Sequence, residues 1–337
     1  MFRKHRAVFG AALLVAALGV ATLAAPAFAQ QSAIRVAYGD VPSMESLNLL
    51  IALEQIKARG VKVELLTLKS EDLATQAVAN GEAEVGVGTP YAAMQRLKVP
   101  LRFFYQLSTL SFYPVVNKEF YKSWKDLDGQ DFVVHSRGSG TEAIARLMEK
   151  RQGIKFKSIS YVPGSEVRAL AMLRGNIKAT IVDAANRRFL MEKDPKKFAV
   201  LPIDDVDATD DALFARKDWL DKNQRTADLI VEEFLKVWRA VDKNPTFVAE
   251  QRKRYKLLPD LPADVAKDVV PYFTEATEGD VYPVDGGVGA AKDDFDFYSL
   301  SGAIAADPAT LKVGDYWDLG PLNRALKKLG RASTASR

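Results

Sequence analysis

The 337-residue chain contains no cysteine and only two histidines, His5 and His135. Lack of cysteine excludes disulfides, thiolate metal sites, a thiol nucleophile and a lipid-modified N-terminal cysteine. Two histidines cannot build a histidine metal cluster and nearly exclude a histidine-dependent triad. Charge of one sign is scarce as well: 47 Lys and Arg face 43 Asp and Glu, a net charge of +4. Arg3, Lys4 and Arg6 account for three of those four charges. The rest of the chain is close to neutral, so net charge gives no support to a nucleic-acid or anionic-membrane partner. Beyond the first 30 residues no apolar run approaches spanning length.

The N-terminus has the layout of an export signal. The positive segment Arg3–Arg6 is followed by an uncharged stretch, Ala7 to Ala25, rich in Ala, Leu and Val. Ala27-Phe28-Ala29 then matches a small-x-small cleavage site, which predicts cleavage after Ala29 and a periplasmic location.

The stretch DFVVHSRGSGTEAIARLM, from Asp131 to Met148, organises the reading of the remainder. Asp131 to His135 is an apolar, β-branched run that predicts a buried strand. Ser136 to Gly140 is a glycine-rich turn. Ser139 fits an N-cap with Glu142 three residues later, as in a capping box, and Ile144, Leu147 and Met148 give the following helix an apolar face. Strand, turn and capped helix leave free backbone N–H groups and a positive helix end at a loop tip, which suits an anion. Arg137 adds a fork suited to carboxylate, sulfonate or phosphate. Any βα turn wants glycine and a capping serine, so a purely structural role stays open. No Gly-Lys-Ser/Thr follows the turn, and Ser139 is not the centre of Gly-x-Ser-x-Gly, so no nucleotide or hydrolase signature is present and no cofactor is expected.

Strand-like and helix-like segments alternate from Ile34 to Leu107, which predicts a parallel, doubly wound sheet. The expected strands are Ile34–Tyr38, Val61–Leu68, Ala83–Val87 and Leu101–Leu107. Thr89 is read as an N-cap with Pro90 as the first helical residue. In such sheets ligands sit beyond the carboxyl ends of the strands. A second alternating unit runs from Phe112 to Ile203. Each unit has a helix closed by Asn80-Gly81 or Gly175-Asn176 and followed at once by a strand, so two similar α/β lobes are expected. DDVDATDD, residues 204–211, lacks the glycine and late glutamate of a calcium loop and reads as a solvated linker. Arg225 to Val241 carries an apolar stripe suited to core packing. The helical tail lacks strands for a third lobe and is expected to pack back on the first. The chain would then cross between lobes twice, near residues 108–113 and 204–213, and so form a hinge.

Several of these segments resemble a known family. IRVAYG and GEAEVGVGTPYAA are similar to the first lobe of periplasmic type II solute-binding proteins. DLDGQDFVVHSRGSGTEAIARLM and RGNIKATIVDAA are similar to second-lobe segments of the ABC-linked nitrate/sulfonate/taurine group, which includes thiamine-pyrimidine-like binders. Receptors coupled to TRAP transporters are a near alternative. They usually carry a Gly-rich turn after the first strand, where this chain has Gly39-Asp40-Val41-Pro42. An exported enzyme on the same fold is the other alternative.

The resemblance implies a first lobe of residues 30–110 and 212–337, a second lobe of residues 111–211, and a signal peptide of residues 1–29. It implies no catalysis, a small-molecule ligand held between the lobes and an inner-membrane permease as partner, with the receptor itself a monomer. The expected solute is a carboxylate or sulfonate. The first-lobe contacts expected are Tyr38, Gly39, Asp40, Pro42, Ser43, Gly88, Thr89, Ser108 and Thr109. Those expected of the second lobe are Ser136, Arg137, Gly138, Ser139, Gly140, Thr141, Ser165, Asp183 and Asn186. Tyr38, Tyr91, Phe112 and Tyr113 are candidates for apolar contact.

Overall fold

The computed structural model describes residues 33–97, 99–203 and 206–331. The expected signal segment and its cleavage site lie outside them. The first lobe opens with β1 (Ile34–Tyr38), α1 (Leu47–Ala58), β2 (Val63–Thr67), α2 (Glu71–Ala79), β3 (Val85–Gly88), α3 (Tyr91–Arg96) and β4 (Leu101–Gln106). The second contains β5 (Phe112–Asn117), β6 (Asp131–Val134), α4 (Gly140–Gln152), β7 (Ser158–Tyr161), α5 (Ser165–Leu173), β8 (Ala179–Asp183), α6 (Ala184–Lys193) and β9 (Phe198–Val200). The chain then returns through β10 (Ala212–Arg216) to α7 (Lys217–Lys222), α8 (Gln224–Lys243), α9 (Thr246–Tyr255), α10 (Ala263–Ala266), α11 (Val269–Glu278), α12 (Ala290–Ser301) and α13 (Gly320–Leu329).

Both sheets use one arrangement. The first has the order β2-β1-β3-β10-β4 and the second β7-β6-β8-β5-β9. β1 runs parallel to β2 and β3, whereas β10 runs antiparallel to β3 and β4. In the second sheet β6 is parallel to β7 and β8, and β5 is antiparallel to β8 and β9. The sheets are therefore mixed, not purely parallel as the alternation predicts. The inverted strand in each is the one that enters directly after a crossing between lobes. Alternation of strands and helices says nothing about the direction of a strand delivered from the other lobe, which is why the sequence misses it.

The glycine pattern of β3, Val-Gly-Val-Gly, has its reason in that pairing. Gly86 lies opposite Phe214 of β10, and a Cβ there would sit 2.2 Å from the Phe214 ring. A buried aromatic thus fills the space over a residue with no side chain.

The crossings hold each other. Leu110 N–H donates to Ala208 O at 2.8 Å, Asp210 N–H to Ser108 O at 2.9 Å and Leu107 N–H to Asp211 O at 2.8 Å, around a Thr109–Thr209 bridge. Ala208 and Thr209 are fully buried, and Asp210 and Asp211 are half-buried. The expectation of a solvated linker is corrected over these residues, because backbone groups taken out of water need partners and the other crossing supplies them.

The apolar stripe of α8 faces the first sheet, with Ile230, Phe234, Val237 and Trp238 in one core with α1. Part of the tail departs from the expectation that it packs on the first lobe. Phe295, Phe297 and Tyr298 of α12 share a core with Ile144, Leu147 and Met148 of α4 as well as Phe103 of β4. Lys150 Nζ donates to Leu300 O at 2.8 Å. α12 therefore straps the back of the crossing. α6, α7, α9 and most of α11 were not read as helices from sequence. α6 begins where a plain turn is expected, capped by Asp183, and α9 has a charged, weakly periodic sequence. Pro90, not Thr89, occupies the cap position of α3.

Candidate functional site

Two adjoining cavities lie where the strand ends of the two sheets meet. The larger, about 170 Å³, is walled by Tyr38, Val87 and Leu107 of the first lobe, Phe112, Tyr113 and Asp183 of the second, and Trp238, Tyr272 and Tyr282 from the returning chain. The smaller, about 60 Å³, lies between Gly39, Asp40 and Glu71 on one side and His135, Ser139, Gly140, Thr141, Ser165 and Arg168 on the other. Tyr38, Glu45, Phe112, Asp210 and Asp211 border both.

Local structure explains how the polar groups reach this place. Ser139 caps α4, its Oγ accepting from Glu142 N–H at 3.3 Å and donating to Ser136 O at 2.8 Å. The reciprocal half of the expected capping box is absent. The Glu142 carboxylate instead accepts from Gly138 N–H at 2.7 Å and from Tyr161 OH at 2.8 Å. Asp183 caps α6, accepting from Asn186 N–H at 2.8 Å and Asn186 Nδ2 at 2.7 Å. Gly39 has no room for a side chain, since a Cβ there would lie 2.5 Å from the Glu71 backbone. Its absence lets the start of α2 bring Glu71 beside Asp40.

Of the expected contacts, Tyr38, Ser108, Thr109 and Asp183 line the larger cavity. Tyr38, Gly39, Asp40, Ser139, Gly140, Thr141 and Ser165 line the smaller. The others stand off. Ser43 is the N-cap of a one-turn helix, accepting from Ser46 N–H through its backbone oxygen, and Pro42 precedes it. Thr89 is buried, and its Oγ1 accepts from Tyr298 OH at 3.1 Å. Tyr91, expected as an aromatic wall, is fully buried in α3 against α12 and donates to Asp294 at 2.5 Å. Gly88 backs onto the Glu71 side chain, and Asn186 holds Asp183. Ser136 is 1% exposed and contributes its carbonyl to Ser139.

Arg137 is the largest correction. It is exposed, lies 5.3 Å from the Tyr161 ring centroid, and borders a separate surface hollow with Gly138, Arg96, Arg146 and the end of α12. Arg137 sits in the turn between β6 and α4, beyond the last strand residue Val134, and that turn leaves it exposed while His135 stays buried.

The lining itself is acidic. Burial raises Asp40 to about 6 and, with Asp40 beside it, Asp211 to about 7. Burial also pushes Glu45, Glu71 and Asp210 well above the carboxylate range, reinforced by Asp183 for Glu45 and by Asp211 for the other two. Burial raises Asp183 too, but the hydrogen bond from the Glu45 carboxyl and those from Asn186 and Ser165 overcome it and bring the group below its usual value. Glu45 and Asp183 thus meet across the cleft as a carboxyl–carboxylate pair. The start of α4, read from sequence as an anion site, already faces a carboxylate: a Cβ on Gly140 would lie 3.2 Å from Asp210 Oδ1.

His135 lies 3.6 Å from Asp40 Oδ2 and 3.8 Å from Glu71 Oε1. Its Nδ1 accepts from Gly164 N–H at 3.3 Å, and burial, with the nearby Arg168 charge, lowers it to about 3, so it is neutral. It makes no hydrogen bond to Ser139, whose hydroxyl is already engaged. Among the described residues no cluster of His, Asp and Glu has the arrangement of a metal site.

Comparison with known proteins fits this geometry. Residues 56–247 match the model of the NMT1/THI5-like family. The chain belongs to that family. No curated protein sequence matches this NMT1/THI5-like chain. Among solved structures it is similar to a protein of Bordetella bronchiseptica RB50, at 20% identity over 89% of this chain and 98% of that one, with a TM-score of 0.71. The periplasmic nitrate-binding protein of Synechocystis PCC 6803 is 13% identical, with 89% and 90% covered and a TM-score of 0.67. The alkanesulfonate-binding protein of Xanthomonas axonopodis pv. citri, bound to MOPS, is 12% identical, with 86% and 98% covered and a TM-score of 0.58. Identities this low establish a shared two-lobed fold.

Proposed function

We propose that this NMT1/THI5-like chain is an extracytoplasmic receptor that captures a small solute between its lobes and delivers it to an inner-membrane ABC permease. The observation that carries the reading is a cavity walled by both lobes and spanned by two crossings hydrogen-bonded to each other. A solute touching both walls favours the closed arrangement by its differential affinity for it. We place the lobe boundaries at residues 30–110 with 212–337 and at 111–211, the signal peptide at 1–29 and the working location in the periplasm. The receptor acts as a monomer.

A binding role rather than catalysis is supported by the engaged Ser139 hydroxyl and the neutral, separately bonded His135. The amide-rich start of α4 supports the anion expected from sequence, whereas the charge of the lining opposes it. Screening solutes of both charge signs by thermal shift, followed by calorimetry and X-ray scattering, tests the proposal. Binding raises the melting temperature by mass action and contracts the particle as the lobes close. Chemical turnover of a bound solute by the purified protein would overturn it.

A further inference from the structure

We infer that the cleft takes an organic cation about the size of a single ring, a protonated amine or amidine, with its charge among Glu45, Asp183, Asp210 and Asp211. This rests on the receptor reading and narrows it to a solute class.

Those four carboxyl groups border the larger cavity together with Glu275, and Asp40 and Glu71 border the smaller. The basic side chains nearby already have partners within the protein. Arg168 is 1% exposed and donates to Ile181 O at 3.0 Å and Val162 O at 2.9 Å. Arg187 and Arg188 both pair with Glu275. His135 is an uncharged acceptor. Buried charge without a partner is costly, and closure on an empty site forces these carboxyls to share or take up protons. A cationic solute replaces those protons. An anionic solute would add like charge to the same space, and the helix start that could offset it faces Asp210.

Two observations independent of the acidic groups point to a ligand. Asn48 is 3% exposed and lines the larger cavity. Its Oδ1 accepts from Leu49 N–H, and among the described residues its side-chain nitrogen has no partner. It therefore offers one donor to an acceptor atom on the solute. The remaining wall is aromatic, with Tyr38, Phe112, Trp238 and Tyr282 around the space, while the Tyr113 ring is already covered by Arg187 at 4.0 Å. Ring faces attract cations and accept a flat apolar body. The volume, about 170 Å³, is close to that of an engineered cavity of about 150 Å³ that admits benzene.

The test uses matched single-ring probes of opposite charge: tyramine and benzamidine against 4-hydroxybenzoate and benzenesulfonate, at millimolar concentration, by thermal shift and calorimetry. Tyramine or benzamidine should raise the melting temperature, and the two acids should not. In a Glu45→Gln, Asp211→Asn double variant the affinity for the cations should fall about tenfold or more, as loss of charged hydrogen bonds implies. That variant should fold about as stably as the parent, because each substitution keeps a neutral hydrogen-bonding side chain of similar shape where a buried carboxyl stood, and circular dichroism checks this. Preference for the acids, or equal binding of both signs, overturns the cation class and leaves the receptor reading standing. Silence towards all four probes also overturns the class, since so acidic a cleft would answer at these concentrations; the receptor reading then depends on the wider solute screen alone.

Discussion

Replacing Asp294 with asparagine should reverse its effect on stability between acid and mildly alkaline solution. Asp294 sits in α12, fully buried behind the crossing, and accepts from Tyr91 OH at 2.5 Å, Thr209 N–H at 2.6 Å and Thr209 Oγ1 at 2.9 Å. Burial raises its carboxyl and the three hydrogen bonds lower it; burial wins, and the group rises from 3.8 to about 7. The folded state thus holds a proton that the unfolded chain releases near pH 4. Its contribution to stability is fully present below the unfolded value and is lost as pH rises through about 7. A rise of roughly three units corresponds to about 4 kcal/mol across that range. Asparagine keeps a neutral acceptor at the site but rearranges the bond to Tyr91, a cost of about 1 kcal/mol. The variant should therefore be slightly less stable than the parent near pH 4 and more stable, by about 2–3 kcal/mol, near pH 8. Urea unfolding at a series of pH values measures both curves directly. Parallel curves, with the variant weaker at every pH, would show Asp294 ionised throughout and refute the reasoning.

Other substitutions test other parts of the structure. Gly86→Ala should destabilise the protein by about 1–3 kcal/mol, because its Cβ enters the buried Phe214 ring; denaturant midpoints measure this, and Phe214→Leu in the same chain should restore part of the loss. Arg137→Ala should leave solute affinity unchanged in calorimetry, because the side chain is exposed and off both cavities. Trp238, whose Nε1 donates to Leu107 O at 2.6 Å, lines the larger cavity, so an entering solute should shift tryptophan emission, and Trp238→Phe should abolish that shift.

Much of the fold was legible because it depends on local rules. The strand limits of Ile34–Tyr38 were read correctly to the residue, since a turn follows the apolar run at once. Ser139 was recognisable as a cap by its type and by the turn before it. The order and direction of strands were harder, because β5 and β10 take their neighbours from across a crossing. No periodicity records which sheet a strand joins. The strap of α12 across to α4 is equally non-local: its packing residues are far apart in sequence, and its amphipathic character is weak compared with that of α8.

The site divides in the same way. Tyr38, Asp40, Ser108 and Asp183, expected from strand-end loops, line the two cavities. Its charge could not be read. The acidic run before β10 looked solvated because acidic runs usually are, yet two of its carboxyls are drawn inward when the crossing pairs with its counterpart and needs backbone partners at Ser108 and Leu110. Glu45 and Glu71 lie in the first turns of their helices, where an acid is favourable whatever it faces. Only the meeting of two lobes sets Glu45 against Asp183 and His135 between Asp40 and Glu71. Arg137 differs for the converse reason: its type suits an anion, but the turn after β6 leaves it exposed beside a separate surface hollow. The chemistry of such a cleft is a property of closure, created when groups from both lobes lose water together, so its sign becomes visible only once the lobes are placed face to face.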